Sequence, residues 1–252
     1  MIIILLALAA AQQPNPKDTE QWAPVPPVAM PGPATASSPP SDAVVLLGRK
    51  TGLREWASMD GKAAGWTFNP DGSITVKKGT GNIQTRRSFG SYQLHIEWRI
   101  PVGNKADGQG SGNSGLFFAS TGNGDAGYEL QIIDSYNKKT YVNGQAGSIY
   151  KQSPPLVNAM RPPGQWQTYD VVWNSPTFNT DGSVRSPARV TAFHNGLLIQ
   201  DNYTLSGETV YVGMPKYKSH GRSPIKLQDH YDPSEPISFR NIWIRELGAS
   251  AP

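Results

Sequence analysis

Three short stretches of this chain alternate apolar residues with side chains that can move protons or hydrogen-bond to hydroxyl groups. In residues 92–99, Gln93, His95, Glu97 and Arg99 alternate with Tyr92, Leu94, Ile96 and Trp98. Residues 128–132 set Glu129 and Gln131 against Tyr128, Leu130 and Ile132, and residues 225–230 set Lys226, Gln228 and His230 against Ile225 and Leu227. Successive side chains of a strand point to opposite faces, so each stretch has one apolar and one polar face. Ordinary solvent faces lean on Thr, Ser and Lys. These faces carry His, Glu, Arg and Gln, which suit general acid–base chemistry and hydroxyl recognition. If all three lie on one curved sheet, they line a polar groove, and grooves of that kind with aromatic rims suit sugars.

Composition makes that concentration uneven. Of 252 residues, 23 are Lys or Arg and 19 are Asp or Glu, a net charge of +4 and a charged fraction of 17%, against roughly 25% for an average soluble domain. Basic residues run no longer than pairs such as Arg86-Arg87 and Lys138-Lys139, which argues against nucleic-acid binding. The chain has no cysteine, so a thiol nucleophile, a disulfide framework and a Cys-ligated metal are excluded. It has no HExxH, no GxSxG elbow, no Walker loop and no Rossmann fingerprint. The glycine-rich run 103–115 lacks a Lys-Ser/Thr ending and reads as a mobile loop over the groove.

The elements that must position these residues are strands. Gly 26 and Pro 22 make the chain turn-rich and poor in long-helix formers. About a dozen short strands are expected, including residues 44–47, 73–76, 82–85, 91–101, 116–118, 128–134, 147–151, 167–173, 189–194, 225–230 and 237–246. Asn195-Gly196 is a two-residue hairpin turn between two of them. Strands at this spacing indicate an all-β antiparallel sandwich or barrel, and no three-turn helix is expected. Residues 2–11, IIILLALAAA, are too short to span a bilayer and match a signal-peptide core with an Ala9-x-Ala11 cleavage site, without a basic n-region. Residues 12–42 hold Pro, Ala and Ser in a segment expected to be a disordered tether. The domain is expected over 43–248. These features predict an exported or secreted protein, periplasmic or extracellular.

The order of motifs is that of a known family. Gly110-Ser111-Gly112-Asn113-Ser114-Gly115, Tyr128-Glu129-Leu130-Gln131-Ile132-Ile133-Asp134 and Gly147-Ser148-Ile149-Tyr150 occur in succession. Gly164-Gln165-Trp166, Asn195-Gly196, Leu227-Gln228-Asp229-His230 and Phe239-Arg240-Asn241-Ile242-Trp243 follow. Over residues 44–247 the chain resembles the 3-keto-disaccharide hydrolases. The resemblance implies a two-sheet antiparallel jelly-roll sandwich of the concanavalin A-like lectin/glucanase type, and a glycosidase-like hydrolase acting on glycosides oxidised to a ketone at sugar carbon 3. Such a ketone acidifies the C2 proton. A base can remove it, the enolate expels the C1 substituent, and water adds to the unsaturated sugar.

Under that resemblance Glu129 is the leading general base or metal ligand, and His230 the acid/base or second ligand. Glu97 and Arg99 form the neighbouring stripe, with Arg99 holding Glu97 or polarising a substrate oxygen. Gln131, Gln228, Asn113 and Lys151 are candidates for hydroxyl recognition. A divalent metal ion could gather on Glu129, His230 and nearby carboxylates, although no compact metal motif is present. The rival reading is a non-catalytic, lectin-like carbohydrate-binding module, since one fold serves both roles.

Overall fold

The computed structural model describes residues 14–29, 38–231 and 236–248. The expected export signal at 1–11 lies outside them, as do residues 12–13 and 30–37 of the expected tether. Among the described residues fifteen strands form. β1 (Val44–Leu47), β2 (Trp56–Ser58), β3 (Thr67–Phe68), β4 (Ile74–Thr75) and β5 (Ile83–Thr85) are short. β6 (Tyr92–Arg99), β7 (Ser114–Ser120), β8 (Gly127–Ile132) and β9 (Gln167–Asn174) are longer. β10 (Thr177–Phe178), β11 (Val184–Ser186), β12 (Arg189–His194), β13 (Leu197–Thr204), β14 (Lys226–Leu227) and β15 (Ser238–Glu246) complete the chain.

Thirteen of the strands build two antiparallel sheets, the sandwich that the sequence implies, and β10 and β11 pair as a separate two-stranded ribbon. One has the order β13-β12-β9-β6-β15-β4-β3, with β1 also paired to β15; the other has the order β2-β5-β14-β7-β8. The hairpin at Asn195-Gly196 forms between β12 and β13, with His194 opposite Leu197. Both turn residues have positive φ, 52° and 83°, as the two-residue turn that matches strand twist requires. Residues 147–151 do not form a strand. Left-handed backbone at Gly147 (φ 84°) and Lys151 (φ 57°) leaves only isolated bridges at Ile149.

Period-two alternation fills the space between the sheets. Tyr92, Leu94, Ile96 and Trp98 from β6 and Tyr169, Val171 and Trp173 from β9 meet Leu116, Phe118, Leu130 and Ile132 from the facing sheet. Phe118 stacks on Trp173 with ring centroids 4.8 Å apart. Two tyrosines of the larger sheet reach across this core. Tyr92 Oη donates to the Phe118 carbonyl at 2.7 Å, and Tyr169 Oη donates to the Gln131 carbonyl at 2.8 Å. Each phenol buries its ring and satisfies its hydroxyl on the backbone of the opposite layer, which fixes the height of β7 and β8.

The three polar stripes do not share a sheet. β6 belongs to the larger sheet, whereas β8 and β14 belong to the smaller one. Alternation assigns faces within a strand and is silent on which sheet the strand joins. Glu97 and Arg99 therefore lie on the outer face of the larger sheet, across the sandwich from Glu129 and His230.

There they serve the fold. His95 Nδ1 sits 2.7 Å from Asp170 Oδ1, its Nε2 lies 3.6 Å from Glu97 Oε1, and its ring stacks on Trp243. Glu97 accepts from Arg240 Nε at 2.6 Å and from Asn241 Nδ2 at 2.8 Å. Arg99 and Arg240 both lie over the Trp166 ring, at 4.5 Å and 4.1 Å from its centroid. This network links β6, β9 and β15. Burial opposes the charge on His95, but the hydrogen bond to Asp170 and the nearby Glu97 carboxylate outweigh it and raise the imidazole to about 9. Burial likewise opposes charge on Glu97, yet the nearby His95 imidazolium and hydrogen bonds from Asn241 and Arg240 bring the carboxyl to about 2.

The signs set a stability window. The His95 contribution is full below its ordinary value of 6.5 and is lost as pH rises through about 9. The Glu97 contribution is full above 4.5 and is lost as pH falls through about 2. Thermal melts of the parent and of His95→Gln should therefore differ most near pH 6 and converge toward pH 10. A constant gap between the two curves across that range would contradict the charged-histidine assignment.

Candidate functional site

The smaller sheet turns one polar face outward. Register places Ala57, Gln84, Lys226, Phe117 and Glu129 in one cross-strand row. The adjacent row sets Gly115 opposite Gln131, and the Gln228 amide donates to the Gly115 carbonyl at 3.1 Å. Above this floor lies a cavity of about 560 Å³ that includes Glu129, Gln131, Asn113, Gln228 and His230. A second cavity of about 410 Å³, with Asn82, Asp229 and Tyr231 in its walls, shares Asp125, Gln228 and His230 with the first. The two make a bipartite groove joined at His230, a shape and polarity suited to a small polar ligand of two units.

Glu129 is the central titratable group. It is only 5% exposed, and among the described residues no cation comes within ion-pairing distance. Burial pushes its carboxyl up to about 8; Asp125 pushes in the same direction and Lys226 opposes. The space it occupies exists because residue 115 is glycine. A Cβ there would lie 2.5 Å from Glu129 Oε1 and 2.8 Å from the Phe117 ring. Lys226, in the same row as Glu129, is fully buried. Its Nζ donates to the Gly124 and Ala126 carbonyls at 2.8 and 2.7 Å and lies 4.2 Å from the Phe117 centroid. Burial lowers Lys226 to about 8 against the pull of Asp125, Glu129 and Glu208.

The other predicted residues are held in place by the loops. Asn113 Nδ2 donates to the Gln109 carbonyl at 2.8 Å and lies 3.4 Å from His230 Nε2. Gln131 Nε2 reaches Gln109 Oε1 at 3.3 Å. Gln109 Nε2 is tied to Thr140 Oγ1 at 2.5 Å and to the Gly144 carbonyl at 3.0 Å, so the glycine-rich run contributes an anchored wall. Lys151, expected to recognise hydroxyls, does not line the cavity. Its Nζ donates to the Pro16 carbonyl at 2.7 Å and the Tyr211 carbonyl at 2.8 Å, and its charge is taken up by backbone.

Sequence reasoning missed Glu20, Asp125, Tyr141, Tyr150, Thr209 and Tyr211, which complete the cavity wall. Tyr150 stood in a family motif, and Asp125 ends the Gly-Asn-Gly-Asp turn that leads into β8. The Tyr141 and Tyr150 hydroxyls lie 2.6 Å apart, and the Tyr150 amide donates to the Glu129 carbonyl at 3.3 Å. Thr209 Oγ1 accepts from the Glu129 amide at 2.9 Å. Among the described residues no three His, Asp or Glu side chains gather closely enough to hold a metal ion.

The arrangement offers a neutral or poised carboxyl, an imidazole at the junction of two compartments, phenolic donors and several amides for hydroxyls. Its electrostatics can be tested directly. Carboxyl NMR should show Glu129 titrating near 8. The midpoint should fall in Asp125→Asn and rise in Lys226→Met. A midpoint in the ordinary carboxylate range, or no movement in either variant, would refute the description.

Comparison with known proteins bears on this geometry. The family described as a 3-keto-alpha-glucoside-1,2-lyase-like domain matches residues 50–245. A protein of Parabacteroides distasonis provisionally named a glycosyl hydrolase is 46% identical, over 97% of this chain and 100% of its own, with a TM-score of 0.79. A second so named from the same organism is 20% identical over 82% of this chain and 94% of its own, with a TM-score of 0.59, and shares the fold. No curated protein matches the chain.

Proposed function

The chain belongs to the 3-keto-alpha-glucoside-1,2-lyase-like family, and from that premise we propose that it cleaves 3-keto-glycosides by elimination across C1 and C2. The observation that carries this reading is Glu129: a buried carboxyl with no ion-pair partner among the described residues, in the floor of a sugar-sized polar cavity, over a glycine. A carboxylate whose conjugate acid titrates near 8 is a stronger base than an ordinary one. A proton next to a ketone needs such a base.

In this reading the keto-sugar sits over Glu129 in the first cavity, and the leaving group lies in the second. Glu129 takes the C2 proton, and the C–H electrons move toward the C3 oxygen as an enolate. The Tyr141–Tyr150 pair, kept protonated by burial, has a phenolic proton to offer that oxygen. The enolate collapses, the C1–O bond breaks, and His230 at the junction protonates the departing oxygen. The products are an alcohol and a 1,2-unsaturated 3-ketone, and addition of water across C1=C2 completes hydrolysis. Gln131, Gln228 and Asn113 hold hydroxyls. The apolar leader at 2–11 fits an enzyme that works outside the cytoplasm.

Purified protein should release the second sugar from 3-keto-trehalose or 3-keto-sucrose. Glu129→Gln and His230→Ala should each lower kcat by at least about 10²-fold. Because the base must be ionised, kcat/KM should rise roughly tenfold per pH unit and level off near pH 8. Tight binding of the sugar without turnover would favour the lectin-like alternative. Near-normal rates in both variants would reject the site.

A further inference from the structure

Residues 14–29 fall before the family domain, which begins at 50, and their composition reads as an unstructured tether. They instead lie along the domain as a strap beside the mouth of the first cavity. Four residues of the domain hold it. The buried Asn143 side chain pairs with strap backbone as a peptide group would: its Oδ1 accepts from the Gln21 amide at 2.9 Å and its Nδ2 donates to the Thr19 carbonyl at 2.9 Å. The Val142 amide donates to the Gln21 carbonyl at 2.6 Å, and Asn158 exchanges backbone bonds with Pro27 and Ala29 at 2.9 and 3.2 Å. Lys151 closes the set through the Pro16 carbonyl. It does so from a left-handed backbone, φ 57°, which an L side chain adopts at a cost. A fully buried asparagine whose amide is satisfied by the strap on both edges would lose both partners if the strap left.

The strap brings Glu20 into the wall of the cavity that also holds Glu129, Tyr141 and Tyr150. The second cavity contains neither Glu20 nor Glu129. The Tyr141 hydroxyl, hydrogen-bonded to Tyr150 in the same wall, feels the charge of both carboxylates. We infer that the strap is a fixed wall of the active site and that Glu20 is a specificity-determining residue, accepting hydrogen bonds from hydroxyls of the keto-sugar unit rather than of the leaving group. The role of Glu20 rests on the function proposed above; the fixed wall does not. A carboxylate accepting from a hydroxyl makes a charge-assisted hydrogen bond. Such a contact exists before and during reaction, so it lowers KM and leaves kcat nearly alone.

Two measurements on the full chain test this. Without sugar, hydrogen exchange at the Gln21, Ala29 and Val142 amides should be at least about 10²-fold slower than in an unfolded chain, and Lys151→Met should accelerate it. Exchange of Gln21 and Ala29 at unfolded-chain rates overturns the fixed wall, whatever the substrate. With methyl 3-keto-glucoside, which has no second sugar, Glu20→Ala should raise KM about tenfold. Its kcat should stay within about threefold and its Tm unchanged, and Glu20→Gln should recover part of the loss. A KM within twofold of the parent, or a loss confined to kcat, overturns the role of Glu20. If the parent cleaves no 3-keto-glucoside and Glu129→Gln binds none, the proposed function falls and the role of Glu20 falls with it; the exchange rates still decide the wall.

Discussion

The cavity depends on the register of β7 against β8. Pairing Leu116 with Leu130 puts both into the core, and the same pairing sets Phe117 opposite Glu129 on the polar face. A slip by one residue would exchange the faces. Glu129 would enter an aromatic core and Leu130 would enter the groove. The register is therefore held from both sides: from below by Tyr169, which bonds the Gln131 carbonyl through the core, and from above by Gly115, the residue whose lack of a side chain leaves room for the Glu129 carboxyl. Thr209 and Tyr150 add hydrogen bonds at the Glu129 backbone.

Two clusters of buried charge on opposite faces of the sandwich show how pairing separates structure from chemistry. Glu97 is as buried as Glu129, but it accepts from an arginine and an asparagine and lies beside a charged histidine, so it stays ionised. Its stabilisation depends on every partner being present, and its task is to tie three strands. Glu129 has Lys226 in its field but not in contact, because the ammonium is already bonded to the Gly124 and Ala126 carbonyls. The result is a carboxyl close to the point of ionising at neutral pH. Such a state is costly for a structural residue and useful for one that must take up and return a proton.

Much of this was legible in the sequence, and the limits have physical causes. Strand alternation identified the core-facing residues of β6 and β8 one by one, and the Asn195-Gly196 turn followed from backbone conformation alone. Glu129, Gln131, Gln228, His230 and Asn113 were brought together as expected. Glu97 and Arg99 were not, because the choice of sheet is made by long-range pairing, in their case with β9 and β15. Lys151 was misread because a lysine near a groove looks the same in sequence whether its ammonium meets a ligand or a carbonyl. The aromatic wall escaped notice because Tyr141, Tyr150 and Tyr211 sit on loops, where no periodicity marks which way a ring points.

The strap was the least legible part. Its proline content is what a disordered linker shows, since proline lacks an amide donor and resists regular structure. Neither property prevents docking when the surface supplies the complementary groups. Proline carbonyls still accept, as Pro16 does from Lys151 and Pro27 from the Asn158 amide, and a restricted backbone loses less entropy on binding than a flexible one. The stabilising contacts are made by the domain: by Asn143, buried and matched to a passing backbone, and by Lys151, turned back beneath it. Recognition of this kind reads main chain and places few demands on strap side chains. Residue 20 could therefore change while the attachment stayed intact, so under the function proposed above the strap is a place where selectivity can vary apart from the floor of the cavity.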